Sequence, residues 1–183
     1  DFSEVIWFYP VGTGDTEITN YVSYNYAENL WAVGTLDRGA WMGYSQASNP
    51  IASSVNTGVT DANYLYNQET GFDDDGSAMT AFVESGDLEI AEGDRFMMIS
   101  RIIPDFKFSG TTEDASIDFT IKGSNFPLET PTTQATATVT PSTTQSNIRT
   151  RARHAVVRVE STGSGFGWRL GDLRFDMRQD GRR

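Results

Sequence analysis

The chain has 183 residues, of which 38% are hydrophobic and 12% aromatic, so it can bury a core and is not typical of a disordered protein. It contains no cysteine, which excludes disulfides and thiolate metal sites. Its net charge of −11 is uneven, because residues 1–145 hold 5 basic and 21 acidic side chains, whereas residues 146–183 hold 9 arginines and 4 acids. A mostly acidic surface argues against a sequence-reading DNA-binding protein, and no apolar run reaches the roughly 20 residues of a membrane helix, so no membrane anchor is expected.

The first 95 residues contain short runs of aromatic and β-branched side chains, separated by turn-forming residues. The runs are residues 6–10, 20–25, 30–36, 63–69 and 79–85. Short strands at this spacing are typical of a sandwich, a barrel or a propeller, and no amphipathic helix is evident. The sequence therefore predicts an all-β protein.

A faint repeat favours the propeller among these alternatives. Tyr24-Asn25 and Tyr66-Asn67 each close an aromatic run, and their separation matches the period of about 40–45 residues of propeller blades. Two copies are fewer than the four or so blades of a closed propeller, so further blades would precede Asp1. We predict that residues 1–95 form strands resembling the last blades of a propeller.

The segment 92–108 raises the question of what covers a strand that is apolar on both sides. Simple alternation gives two sides, with Phe96, Met98, Ser100 and Ile102 on one and Met97, Ile99, Arg101 and Ile103 on the other. A strand with one wet face would be polar on that side. We therefore expect the second side to be covered by the propeller-like part or by a neighbouring copy. The interface candidates are Met97, Ile99, Arg101 and Ile103.

The pattern of residues 96–183 predicts an antiparallel, β-sandwich-like domain. Its inward positions alternate in two strands, namely Ile117, Phe119 and Ile121, then Ala155, Val157 and Val159. The alternation slips near residue 171, which indicates a turn or a bulge. The Thr-rich residues 129–147 predict either an exposed hairpin with its tip near Pro141 or a disordered loop.

Residues that could carry chemistry are sparse. The only histidine, His154, has no second imidazole and no cysteine with which to form a hydrolytic triad. The three acids at 73–75 lack the alternate spacing of a calcium loop, so a polar hairpin loop is favoured over a metal site. No pair of carboxylates is singled out for glycosidase chemistry. We predict no catalytic residues, no metal site and no cofactor, and expect that the protein is not an enzyme.

Three arginines, Arg149, Arg151 and Arg153, alternate at the start of the basic C-terminal segment, and the same face then becomes apolar over residues 155–159. Such a row can be solvated, can pair with acids of the first domain or of a neighbouring copy, or can contact phosphate. Exposed pairs add little stability, so their use would be register and specificity. We treat the three arginines as interface candidates.

Several long segments together resemble one family of proteins. They are WFYP near the start, YVSYNYAENLWAVGTLDRGAW, ESGDLEIAEGDRFMMISRIIPDFKF, IDFTIKGSNFP and the closing WRLGDLRFDMRQDGRR. In this order they resemble structural tail proteins of short-tailed bacteriophages, described as tail tube, hub or nozzle proteins or as packaged-DNA stabilisation proteins. The chain would correspond to the C-terminal part of a longer protein.

This resemblance implies a place in the virion and a homo-oligomeric ring, commonly a hexamer. Such rings contact other tail proteins or the portal, close the DNA channel, and conduct double-stranded DNA without sequence-specific binding. The resemblance also implies a propeller-like part joined to β-rich domains, and no enzymatic chemistry.

A carbohydrate-binding β-sandwich for receptor recognition is the alternative function. Exposed aromatic side chains would then stack on sugar rings. The candidates are Trp41, Tyr44, Tyr64 and Tyr66. Burial in a core is the competing explanation for the same residues.

Overall fold

The computed structural model describes residues 3–14, 18–43, 48–54 and 64–182. All sixteen regular elements in these ranges are β-strands. Every pairing between them is antiparallel. The described ranges contain no helix long and apolar enough to cross a membrane. The all-β prediction is therefore confirmed.

The chain comprises two compact units, which we call unit 1 (Asp1–Thr70) and unit 2 (Gly71–Arg183). The strands of unit 1 are β1 (Glu4–Tyr9), β2 (Asn20–Asn25), β3 (Leu30–Thr35), β4 (Arg38–Met42), β5 (Ile51–Ser54) and β6 (Leu65–Asn67). The strands of unit 2 are β7 (Ala81–Glu84), β8 (Leu88–Glu89), β9 (Met97–Ile103), β10 (Phe106–Gly110), β11 (Ile117–Ser124), β12 (Thr132–Val139), β13 (Ser146–Ala152), β14 (His154–Ser161), β15 (Phe166–Leu170) and β16 (Arg174–Gln179). The strand predicted at 20–25 is confirmed to the residue.

The boundary between the units precedes the one expected at residue 95. Strand pairing is the reason, because β7 and β8 both pair with β14, through Val83 opposite Val159 and Leu88 opposite Ala155. A strand belongs to the sheet with which it shares hydrogen bonds, whatever its composition. Residues 71–95 are therefore part of unit 2.

Unit 1 contains two three-stranded antiparallel meanders, β1-β2-β3 and β4-β5-β6. Phe8 of β1 contacts the rings of Tyr21 and Trp41, with centroids 6.2 and 5.6 Å apart, so the inward side of the first meander carries an aromatic cluster. Gly34 lies against Tyr21, and a Cβ at this position would come within 2.5 Å of the Tyr21 hydroxyl oxygen. Glycine at position 34 therefore makes room for the ring.

The two copies of the predicted blade repeat do not occupy equivalent strands. Tyr24 lies on β2, the central strand of its meander, whereas Tyr66 lies on β6, at the edge of the other. Each described meander also has three strands, one fewer than a typical propeller blade. The described residues of unit 1 thus form antiparallel meanders without a closed propeller.

Unit 2 consists of facing sheets around one apolar core. One sheet has the order β12-β11-β14-β7, with β8 also paired to β14; the sheet β13-β9-β16 and the pair β10-β15 supply the other side. The core residues are at most 1% exposed and are Met97, Ile99, Ile102, Ile117, Phe119, Ile121, Val139, Ala155, Val157 and Val159. The inward alternation predicted for β11 and β14 is therefore confirmed.

A bulge in β9 explains why its sequence is apolar on both sides. β9 is the central strand of β13-β9-β16, and its pairing with both neighbours shifts register around Ser100. On β16, Met177 is opposite Ile99 and Asp176 is opposite Arg101, so Ser100 is an extra residue. The residues that face the core are Met97, Ile99 and Ile102. The simple alternation expected for this strand fails across the bulge, because the extra residue reverses the phase: Met97 and Ile99 face the core together with Ile102, which alternation places on the opposite side from them.

The Thr-rich segment forms a sheet strand rather than a projecting arm. β12 pairs with β11, which places Ala137 opposite Phe119. A turn follows at the predicted tip near Pro141, where the Thr143 amide donates to the Thr140 carbonyl oxygen at 3.0 Å. However, β13 pairs with β9 in the other sheet, so β12 and β13 connect the two sheets and do not pair as a hairpin.

Phe119 gives a direct test of this core. It is 1% exposed, whereas Phe126, in a loop of the same unit, is 69% exposed. We expect Phe119→Ala to lower the free energy of unfolding of unit 2 by about 3–5 kcal/mol, since it leaves a cavity among buried side chains. Phe126→Ala should change it by less than about 0.5 kcal/mol. Urea unfolding followed by circular dichroism measures both variants, and equal effects would contradict the arrangement of the core.

Candidate functional site

The outward side of the sheet β13-β9-β16 is lined by arginines, and we call it the arginine face. Its members are Asn147, Arg149 and Arg151 of β13, Met98, Arg101 and Ile103 of β9, and Arg174, Asp176 and Arg178 of β16. Alternation places them there, because the opposite phase of each strand faces the core, as buried Thr150 of β13 and Phe175 of β16 show. Three strands therefore bring five arginines to one surface.

Arginine side chains of this chain cover much of the outward side of β9. The Arg151 guanidinium lies 3.8 Å from the centre of the Phe96 ring, and that of Arg153 lies 4.8 Å from it. Met98 is only 8% exposed and lies between Arg151 and Arg178 in the strand register. Long arginine stems shield apolar neighbours while their heads stay polar. The cover that the sequence requires is thus supplied in part from within unit 2, by cation–π contacts and arginine stems.

Some arginines of this face are neutralised by aspartates, and two are not. The pairs are Arg101–Asp176 at 2.6 Å, Arg151–Asp180 at 2.6 Å and Arg174–Asp105 at 3.3 Å. Arg149 and Arg178 are exposed and form no hydrogen bond or ion pair with any described residue. These two guanidinium groups are therefore available to a partner.

Arg153 has a structural role at the corner between two sheets. It follows β13 and precedes β14, which lies in the larger sheet. Its guanidinium donates to the carbonyl oxygens of Gly93, Asp94 and Arg182, at 3.1, 2.9 and 2.8 Å. The expectation of one continuous face, first basic and then apolar over 155–159, is wrong, because the chain changes sheet here. The arginines of β13 point outward, and the valines of β14 point inward.

Met97 and Ile99, two of the predicted interface residues, belong to the core. They are 1% and 0% exposed and pack in the intramolecular cluster of unit 2. Arg101 and Ile103 lie beyond the bulge at Ser100 and on the arginine face. The bulge divides the four candidates between opposite sides of the strand, so Met97 and Ile99 are reassigned from interface to core.

Four charged residues on the outward side of the larger sheet form one balanced network. Glu84 accepts hydrogen bonds from Lys122 Nζ at 2.7 Å and from Arg158 at 3.4 Å, and Arg158 also pairs with Glu160 at 2.9 Å. The hydrogen bond from Lys122 lowers the pKa of Glu84, and that from Arg158 lowers the pKa of Glu160. Both carboxylates therefore stay ionised at neutral pH, and the four charges cancel.

Unit 1 has an uncharged outward side on the sheet β1-β2-β3, which we call the aromatic face. The register places in it Val5, Trp7 and Tyr9 of β1, Asn20, Val22 and Tyr24 of β2, and Trp31, Val33 and Thr35 of β3. The Trp31 ring stacks on Tyr24 and on Trp7, with centroids 4.5 and 6.0 Å apart. Trp31 is 64% exposed and Val33 is 70% exposed. An apolar patch thus faces away from the inward cluster around Phe8.

On the side of this sheet opposite the aromatic face lies a shallow hollow, which we call the acidic depression. It is lined by Glu4, Ser23, Asn25, Glu28, Leu30, Trp31 and Ala32. The Asn25 side chain accepts hydrogen bonds from the Ala27 and Glu28 amides at 3.0 and 2.9 Å, which holds Glu28 in the turn beside the sheet. Ser23 is 8% exposed, and its hydroxyl forms no hydrogen bond with a described residue. Two carboxylates and a hydroxyl suit a cation such as a guanidinium.

The residues weighed for metal or acid–base chemistry form structural contacts. Asp73 accepts a hydrogen bond from the Gly165 amide, which helps to hold the turn at 73–75. His154 Nδ1 lies 3.2 Å from Glu89 Oε2. Within the described part of the chain, no group of three or more histidines or acids could hold a metal ion.

Three of the four aromatic residues considered for sugar binding are described, and they pack within unit 1. Trp41 belongs to the inward aromatic cluster, and the rings of Tyr64 and Tyr66 lie 6.2 Å apart. The Arg38 guanidinium lies 4.3 Å from the centre of the Tyr66 ring. Tyr44 lies outside the described residues.

Sequence reasoning missed parts of all three surfaces. The sequence shows that Arg174 and Arg178 lie on the opposite side of their strand from the inward Phe175. Nothing in the neighbouring residues indicates that this strand pairs with β9. The sequence places Trp7 and Trp31 on strands, and only the register shows that they share a side. The acidic depression joins a strand start to a turn, which alternation alone does not bring together.

No protein-family model matches the chain, and no curated protein matches it. The arginine face, the aromatic face and the acidic depression are the features from which its function is argued.

Arg149 and Arg151 allow an arginine that is available to a partner to be compared with one that stabilises unit 2. Both lie outward on β13, but only Arg151 contacts Phe96 and pairs with Asp180. We expect Arg151→Ala to lower the free energy of unfolding of unit 2 by about 1 kcal/mol, because it removes the cation–π contact and uncovers Met98. Arg149→Ala should change it by less than about 0.5 kcal/mol. Urea unfolding compares the two variants, and the reverse order would contradict the roles assigned.

Proposed function

We propose that this protein is a structural component of the virion of a short-tailed bacteriophage. It forms part of the homo-oligomeric ring or tube that closes and conducts the DNA channel of the tail. The resemblance to tail tube, hub and nozzle proteins supplies the class. The observation that supports the proposal most is the aromatic face of unit 1, because it gives a physical reason for assembly.

Contact with water is unfavourable for the aromatic face. Its most exposed apolar side chains are between 41% and 70% exposed and are Val5, Trp7, Tyr9, Trp31 and Val33. Burying an apolar side chain of this kind stabilises by roughly 1.5–3 kcal/mol. The face includes no charged residue, and patches rich in aromatics and poor in charge are typical of the centres of protein–protein interfaces. This chemistry favours a second protein surface as its cover.

We further propose that the two meanders of unit 1 are parts of propeller-like blades. They follow each other in the chain, and each is antiparallel with three strands. A propeller arranges such small sheets radially, so that the sides of adjacent blades face each other. The aromatic face would then be one of these contact sides, completed by strands elsewhere in the assembly.

The charge of unit 1 suits a wall along which DNA passes. Residues 1–70 contain 8 acidic residues and 1 arginine. A surface of this sign repels phosphates and so avoids the contacts that multiply into tight, salt-dependent DNA binding. Double-stranded DNA would pass without sequence-specific binding, and the stable partners would be other copies and other tail or portal proteins.

Assembly should depend on the aromatic face. We expect the purified chain to form rings or larger homo-oligomers, and Trp31→Asp combined with Val33→Asp to lower their mass towards the monomer, because both carboxylates would be buried without partners. The control is Phe126→Asp combined with Leu128→Asp, two residues of unit 2 that are 69% and 105% exposed. Mass photometry and negative-stain electron microscopy measure both pairs.

A wild-type chain that stays monomeric, both alone and with portal rings, would overturn the proposal. So would a control pair that dissociates the oligomer as completely as the aromatic-face pair. Immunogold labelling of phage particles tests the location independently, and the label should lie on the tail.

Carbohydrate binding is the second candidate function, and the rings of the aromatic face favour it. Trp7, Tyr24 and Trp31 lie on one side of a sheet, with neighbouring centroids 4.5 and 6.0 Å apart. Aromatic faces present the flat apolar surface on which a sugar ring can stack, while the indole N–H remains available to a hydroxyl. These rings suit sugars better than the residues considered from the sequence.

A glycan array separates the two candidate functions. If the protein is purely structural, Trp7→Ala should not reduce any glycan signal. Sugar recognition would instead give binding of one glycan class by the monomer, reduced at least about tenfold by Trp7→Ala. Phe126→Ala, which removes an exposed ring in unit 2, is the control and should leave any signal unchanged.

A further inference from the structure

The arginine face of unit 2 and the acidic depression of unit 1 are complementary in charge and in chemistry. Arg149 and Arg178 supply guanidinium groups without partners among the described residues, and Glu4 and Glu28 supply carboxylates. We propose that the arginine face of one copy docks on the acidic depression of a second copy. This inference rests on the proposed homo-oligomer and names the surfaces that join its subunits.

The arginine face has the composition of a protein interface. Its central strand contributes Met98, which is 8% exposed, and the half-buried Ile103. Arg149 and Arg178 lie on the two strands that flank this centre. Arginine is enriched at protein interfaces, where its head forms paired hydrogen bonds with carboxylates and its stem packs on apolar neighbours. An apolar centre with free guanidinium groups around it therefore favours an acidic protein surface as the partner.

The acidic depression has the groups that bind a guanidinium. Glu4 and Glu28 can accept its N–H groups. Ser23 is only 8% exposed and lines the hollow, and its hydroxyl has no hydrogen-bond partner among the described residues, so it can accept a donor that enters there. The hollow has a volume of about 280 Å³. An arginine head entering it would supply the missing donor.

The acidic depression and the aromatic face lie on opposite sides of the sheet β1-β2-β3. Trp31 is the one residue that belongs to both, since it lines the acidic depression and its ring lies in the aromatic face on the opposite side of the sheet. The docking and the cover of the aromatic face are therefore separate contacts of unit 1. The charged contact would orient the docked copy.

The distribution of charge along the chain also favours contact between the arginine face of one copy and unit 1 of another. Residues 1–70 hold 8 acids against 1 arginine, while residues 146–183 hold 9 of the 14 basic residues. Opposite charges steer encounter, and like charges disfavour the pairing of two arginine faces or of two acidic surfaces. The docking is therefore expected to join different surfaces of successive copies, which is the arrangement that closes into a ring.

A nucleic-acid backbone is the competing occupant, and the arginine face suits it less well. Asp105, Asp176 and Asp180 lie among the arginines and pair with them. Fixed carboxylates repel phosphates, whereas a protein partner can donate hydrogen bonds to them. The interleaved pattern of charge therefore favours a protein surface.

A charge-swap experiment tests the docking. Variant A carries Arg149→Glu and Arg178→Glu, and variant B carries Glu4→Arg and Glu28→Arg. Each alone should associate at least about tenfold more weakly than the wild type, because like charges then face each other. Mixed together, A and B should form oligomers that contain both, because the altered surface of each complements the altered surface of the other. Mass photometry at about 0.1 M salt measures the samples.

The matched control reverses two cations outside the arginine face. Lys107 and Arg169 are opposite each other on β10 and β15, and both are exposed. Lys107→Glu with Arg169→Glu changes the net charge as much as variant A does and should leave the oligomer intact. Circular dichroism of each variant, together with the recovery of oligomers on mixing, checks that the variants are folded.

The outcomes separate this inference from the proposed function. A wild-type oligomer that variants A and B leave unchanged overturns the docking alone, and so do variants that dissociate but do not reassemble when mixed. A monomeric wild type overturns the docking and the proposed function together. Loss of binding to a DNA duplex by variant A, with the oligomer intact, would assign the face to phosphate and overturn the docking.

Discussion

Unit 2 depends on strand β9, because this short strand packs on the core with its inward side and also needs cover for the apolar residues of its outward side. On the inward side, Met97, Ile99 and Ile102 fill the core against the larger sheet. On the outward side, the Arg151 guanidinium over Phe96 and the stems beside the strand take the place of a third layer. An apolar strand would otherwise need another sheet or subunit there. Arginine can cover the outward side of the strand and still face water, since its stem packs like an apolar side chain while its head remains paired or hydrated.

The bulge at Ser100 makes this arrangement possible, and it also marks the limit of prediction from sequence. Alternation predicts the inward residues of β11 and β14, because those two strands pair without interruption. In β9 the same rule separates Ile102 from Met97 and Ile99, although all three face the core, since the extra residue Ser100 is defined by pairing with β16, which is distant in the chain. The unit boundary has the same cause: β7 and β8 belong to unit 2 through their partner β14, and no change in composition marks this.

The candidate surfaces are predictable only in part, for a related reason. Spacing places Arg149 and Arg151 on one side of a strand, but whether each is available depends on partners elsewhere. Arg151 reaches Asp180, which lies 29 residues further along the chain, whereas Arg149 has no such partner among the described residues. Likewise, the stacking of Trp7 on Trp31 depends on the register of β1, β2 and β3. Local pattern gives the side of a strand, and pairing gives what lies beside it.

The segregation of charge between the units bears directly on assembly. On the larger sheet of unit 2, acids and cations balance within one network, as Glu84 shows by accepting from both Lys122 and Arg158. The arginine face and unit 1 depart from that balance in opposite directions, and each therefore keeps a surface that another molecule can neutralise. Because two surfaces of like charge repel, such segregation disfavours contact between like surfaces and favours contact between unlike surfaces of two copies. The net charge of −11 thus matters less than its separation into an acidic unit and a face with unpaired arginines.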